Sequence, residues 1–163
     1  MVSFHFVAVA IVHLALLGIG GWLIVIDART HRLPNRIVLP TLGALTLLVL
    51  IEAIATGAAD RMLRSLLGAL ALGAFYAVMH LASKQGMGGG DVKLAAVIGL
   101  VLAWHGWQTL VLGAAAAFLL GALYALALML LRRADRNTRI AFGPWMIIGA
   151  AMAIALTRLS GLW

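Results

Sequence analysis

The sequence contains no cysteine, only three prolines and only five acidic residues, and charged residues of both signs make up 10% of its 163 positions. The lack of cysteine excludes a disulfide framework, a cysteine nucleophile and a Cys-ligated zinc. The scarcity of charge is as informative. A soluble globular chain carries about 25% charged and about 45–50% apolar residues, whereas here 64% are apolar. That composition places the chain in the membrane class. Eighteen glycines fit the same class, because small residues let membrane helices approach closely. The formal charge of +7 does not indicate nucleic acid. The basic residues fill short gaps between long apolar runs, and no basic patch interleaved with aromatics occurs. No Lys or Arg precedes the first apolar run, so that run is expected to be a retained membrane helix rather than a cleavable leader.

A membrane helix needs roughly 20 mostly apolar residues. The expected fold is all-α, a polytopic bundle of about six such helices forming a single membrane domain over 1–163. The helices are expected at 4–26, 37–55, 65–82, 91–104, 109–131 and 140–157, the fourth being short for a full span. Asp60, Arg61 and Arg64 are expected in a short loop, residues 83–90 in a glycine-rich loop, and Trp104 to Trp107 in an interfacial turn. With the N-terminus outside, Arg29, Arg32, Arg36, Lys84, Lys93, Arg132, Arg133, Arg136 and Arg139 face the cytoplasm, and Arg61, Arg64 and Arg158 do not. This nine-to-three division uses all twelve basic residues and follows the positive-inside rule. Gly113, Ala117 and Gly121, and likewise Ala69 and Gly73, recur at every fourth position and predict close helix packing.

Of the five acids, Asp60 and Asp135 stand beside arginines and read as solvated loop carboxylates, and Glu52 reads as reaching the interface. Asp27 and Asp91 differ. Asp27 ends an apolar run, and Asp91 opens one directly after Gly86-Met87-Gly88-Gly89-Gly90. Either could simply cap a helix. Both, however, fall at membrane-edge helix ends on one face, where an ionisable group is costly and a functional candidate. The glycines leave a backbone that another chain can approach. No phosphate-binding loop or dinucleotide fingerprint is present.

The run Gly88-Gly89-Gly90-Asp91 matches the GxGD signature of intramembrane aspartic peptidases. The wider run through Val92-Lys93-Leu94 resembles the type IV prepilin peptidases in particular. In that family the first catalytic aspartate precedes a loop ending in Pro-Asn or Pro-Asp, as Asp27 precedes Pro34-Asn35. Phe142-Gly143-Pro144 also resembles a family element, with Ala141 where a proline is usual. The resemblance covers nearly the whole chain. Longer members carry a cytoplasmic region with paired cysteines associated with N-methylation. This chain has neither, so it resembles the short, stand-alone peptidases of Flp/Tad-type pilus systems and the preflagellin peptidases.

The resemblance implies an aspartic endopeptidase of the plasma membrane, cutting at the cytoplasmic face. Its catalytic residues would be Asp27 and Asp91. Gly86, Gly88, Gly89, Gly90, Lys93, Pro34 and Asn35 would form the substrate-binding loops. No cofactor or metal is implied, and the five histidines show no ligand spacing. The partner would be a prepilin or prepilin-like chain with a short basic leader and an apolar helix, cleaved after glycine. Membrane lipid is a second partner and nucleic acid is not one. In such a site two carboxylates share one proton, because like charges close together resist ionising both. Lys93 would either meet an acidic residue of the pilin or anchor the interface. Ser83-Lys84 does not make a dyad, since adjacent helical residues point apart, and a His80–Ser83 pair lacks a third group. Two other readings remain open at the sequence level: a small ion-coupled transporter, and a non-catalytic component of pilus or secretion assembly.

Overall fold

The computed structural model describes residues 18, 21–22, 35–83, 88–132 and 141–160. Among them are five long helices and no strand: α1 (Asn35–Thr56), α2 (Ala59–Ala82), α3 (Gly89–His105), α4 (Trp107–Leu130) and α5 (Gly143–Leu159). The expected helix at 4–26 lies outside the described residues, so the count of six spans is not established by them. Three helices, α1, α2 and α4, are long and apolar enough to cross a membrane, and α5 is apolar but shorter. Their apolar side chains face outward in quantity, including Ile54, Leu70, Leu119 and Leu130. Water tolerates only small exposed apolar patches, so this surface belongs against lipid.

α2 starts six residues earlier than the hydropathy predicts, because Asp60, Arg61 and Arg64 lie within its first turns and not in a loop. The helix extends past the purely apolar run, and Asp60 in the first turn complements the positive helix N-terminus. α1 continues through Pro40, which removes one backbone donor. The Thr41 and Thr46 hydroxyls bond back to the carbonyls of Ile37 and Leu42 at 2.7 and 2.8 Å, as membrane helices commonly do.

α3 touches all four other helices, and its contact with α2 is the most extensive in the fold. Nine of its seventeen residues are buried, so it is enclosed on all sides, as an all-round apolar helix must be. Backbone meets backbone where α2 crosses α3. A Cβ built on Gly99 would lie 2.9 Å from the Gly68 carbonyl carbon and 3.0 Å from Leu72 Cβ. The expected small-residue faces are present. Gly73 lies against Ala96, and Gly113, Ala117 and Gly121 are all buried in α4. Gly149 of α5 approaches the backbone of Ala117 and Gly113, where its Cβ would meet atoms at 2.6 and 2.9 Å. The tightest small-residue contact on α2 is Gly68, one position before the expected Ala69.

The two ends of the bundle differ. At one end the links are minimal: Gly57-Ala58 joins α1 to α2, and Gly106 alone joins α3 to α4. Gly106 has φ 150° and ψ 160°, a region essentially restricted to glycine. Gly106→Ala is therefore expected to cost about 1–3 kcal/mol, visible as a lowered thermal midpoint in detergent. A midpoint equal to wild type would show that the link relaxes freely. At the other end lie the start of α1, the end of α2, the start of α3, the end of α4 and the start of α5.

Candidate active site

Asp91 lies at that second end. It occupies the third position of α3, and the Gly88 backbone N–H donates to its Oδ2 at 3.2 Å. This is half of a capping box; the other half is missing because Gly88 has no side chain. Asp91 is only 7% exposed. A carboxylate in this place serves the helix N-terminus, where the dipole favours negative charge, and is also held at the protein interior in a fixed orientation. Capping and function, posed as alternatives by the sequence, are compatible here. A Cβ at position 88 would lie 3.6 Å from Oδ2, so glycine leaves that edge of the carboxylate uncovered.

Gly89 and Gly90 form the first turn of α3 and are not part of a loop. Glycine disfavours helix by about 1 kcal/mol relative to alanine, which explains the expectation, and the cap together with burial against α2 overrides it. Gly89 lies beside His80, with its Cβ position 4.0 Å from Nε2. Lys93 is half-buried two residues beyond Asp91, and Asn35 is the first residue of α1, at the same end. Asp27, Pro34 and Gly86 lie outside the described residues. The Ser83 hydroxyl bonds to the His80 backbone carbonyl at 3.4 Å and not to its ring. Among the described residues no group of three or more His, Cys, Asp or Glu could hold a metal ion.

Sequence reasoning missed Tyr76. It is one of two tyrosines, lies within an apolar run, and is 1% exposed within electrostatic reach of Asp91. Its ring packs on Phe75, Phe118 and Phe142 with centroids 5.7, 5.6 and 6.0 Å away. Phe118 and Phe142 are themselves 5.2 Å apart, and Phe142 fills the space beside Gly121. The Phe142-Gly143-Pro144 segment thus joins the Asp91 end through an aromatic cluster shared by α2, α4 and α5. The available signal was physical: a tyrosine in an otherwise apolar helix carries a hydroxyl that hydrocarbon does not solvate.

A helical membrane bundle whose enclosed central helix opens on a buried, glycine-flanked aspartate defines a polytopic membrane protein with a polar site at one end of the bundle. Residues 6–126 match the family model described as the type IV leader peptidase family. Over 131 residues the chain is 36% identical to a protein of Aeromonas salmonicida named prepilin leader peptidase/N-methyltransferase, a match covering 79% of this chain and 43% of that one. The protein of the same name from Pseudomonas aeruginosa is 35% identical over 130 residues, again covering 79% and 43%. That from Escherichia coli K12 is 39% identical over 131 residues, covering 77% and 54%. The chain belongs to the type IV leader peptidase family. It spans about half the length of the curated relatives it matches. No solved structure matches it.

Proposed function

We propose that this chain is a prepilin leader peptidase, an aspartic endopeptidase in which Asp27 and Asp91 act as a pair. The observation that carries the reading is the buried Asp91, fixed at the start of the helix that, among the described residues, every other helix packs against, in a chain of this family. Asp27 stands eight positions before the first residue of α1. Such a stretch spans at most about 28 Å, and α1 begins at the Asp91 end, which supports both carboxylates serving one site.

In the proposed reaction the ionised carboxylate takes a proton from water while the protonated one hydrogen-bonds the scissile carbonyl. The water oxygen attacks the carbonyl carbon, the C–N bond breaks, and the departing amine takes up a proton from the pair. No acyl-enzyme forms. The substrate proposed first is a Flp/Tad-type prepilin with a basic leader and an apolar helix, cut at the cytoplasmic face of the plasma membrane. Lys84, Lys93 and the arginines of the same face are positioned by sequence to meet anionic lipid headgroups.

The direct test is to co-express a candidate prepilin with wild type, Asp27→Asn or Asp91→Asn at matched enzyme levels and to score leader loss. Cleavage by wild type alone supports the pair. Cleavage by both variants removes the catalytic assignment, and an inert wild type on several prepilins favours the carrier or scaffold reading. The membrane orientation is separately testable. A reporter inserted at Gly57-Ala58 is expected to be active only outside the membrane, and one inserted within 133–140 only on the cytoplasmic side. The opposite result would reverse the proposed face.

A further inference from the structure

Every helix leaves its last carbonyls without intrahelical donors, and where protein covers them another donor must serve. At the end of α3 the Leu102 carbonyl accepts from the Gly106 N–H at 3.1 Å. The next two carbonyls are taken by one side chain from another helix. Arg64 of α2 donates from Nε to the Ala103 carbonyl at 2.6 Å and from Nη2 to the Trp104 carbonyl at 2.9 Å. A charged donor gives stronger bonds than a neutral one, and a cation suits the negative end of the helix. Arg64 therefore grips α3 by its C-terminus, while Asp91 sits at the N-terminus of the same rod, about 20 Å away at 1.5 Å per residue.

In the middle of its length α3 meets α2 through Gly68, Gly73, Ala96 and Gly99. A contact between small residues fixes how close two helices come. It carries no bond directed along the helix axis. The two-point bond from Arg64 is directional and adds one.

We infer that Arg64 is a positioning residue for peptide cleavage: it holds α3 in axial register against α2, and so sets the depth at which Asp91 is presented. The inference rests on the reading of Asp91 as catalytic.

The absence of native cysteine allows a clean test. The Cβ position of Gly73 lies 3.4 Å from Ala96 Cβ, close to the separation of about 3.5–4.5 Å that a disulfide spans. The pair Gly73→Cys and Ala96→Cys therefore reports the register and, once oxidised, fixes it. Cross-linking yield and steady-state cleavage of a prepilin would be measured in this double-cysteine background with Arg64, Arg64→Gln and Arg64→Lys. Expected for Arg64→Gln are a fall of about tenfold or more in kcat, KM within twofold, and a lower cross-linking yield before full oxidation. Arg64→Lys, with the charge kept on a single amine, should fall between, and carries the test if the Gln variant does not accumulate. Full oxidation should restore most of kcat. A kcat unaffected by Arg64→Gln, or a loss that persists once the disulfide has formed, overturns the proposal. If even the Arg64 form cleaves nothing, the peptidase reading fails. The cross-linking yield then still decides the register, an unchanged yield rejecting it and a lowered one retaining it.

Discussion

Replacing Asp91 with asparagine is expected to lower kcat/KM for prepilin cleavage by about 10²–10⁴-fold, and replacing Asp27 as well is expected to lower it hardly further. Asparagine keeps the shape of the side chain. Its carbonyl oxygen can still accept from the Gly88 N–H that Asp91 holds at 3.2 Å. The helix start should therefore survive while the proton-transfer chemistry is lost. Groups acting as one catalytic unit are grossly non-additive, because removing either leaves the other with nothing to do. A double-mutant cycle on the purified protein would show this as a coupling nearly equal to either single loss. Independent losses that multiply would mean that the two aspartates serve separate purposes, that of Asp91 being the cap it visibly provides.

The second large effect is structural. Gly99→Leu is expected to destabilise the bundle by about 3 kcal/mol or more, at the upper end of what overpacking costs. The atoms in the way are the Gly68 backbone and Leu72 Cβ, and backbone cannot swing aside as a flexible side chain can. Because α3 touches all four of the other described helices, pushing it off α2 disturbs its remaining contacts as well. Gly43→Leu is the matched control, since no described residue comes within 4 Å of a Cβ there, and it should leave stability unchanged or raise it by up to about 1 kcal/mol, leucine being the better helix former. Thermal unfolding of both variants in the same detergent decides the matter. Equal midpoints would mean that the α2–α3 contact is not close-packed in the folded protein.

What could be read from the sequence follows from which forces are local. Hydropathy located the helices of the described region in their order, because the requirement for an apolar exterior acts on each segment by itself. The small residues of α4 could be read for the same reason: their fourfold spacing lies within one helix. Asp91 stood out because an acid opening an apolar run is locally anomalous. The start of α2 was missed because Asp60, Arg61 and Arg64 look like a loop unless one sees that Arg64 is bonded to the end of α3. Gly89 and Gly90 look like loop until the capping carboxylate and the packing against α2 are counted. Tyr76 was hidden because its neighbours along the chain are apolar, whereas the residues that give it meaning come from α4, α5 and Asp91. These misses share a cause: each depends on an interaction between segments that are distant in sequence.

α3, at seventeen residues, falls short of the length a lone membrane helix needs, yet it lies at the centre of the fold. For α1, α2, α4 and α5 the bilayer is the solvent, and their outward residues must satisfy it. For α3 the solvent is those four helices. Its composition answers to protein instead of hydrocarbon, which is how one helix can carry both an aspartate and a lysine within its first turns and still occupy the middle of a membrane protein.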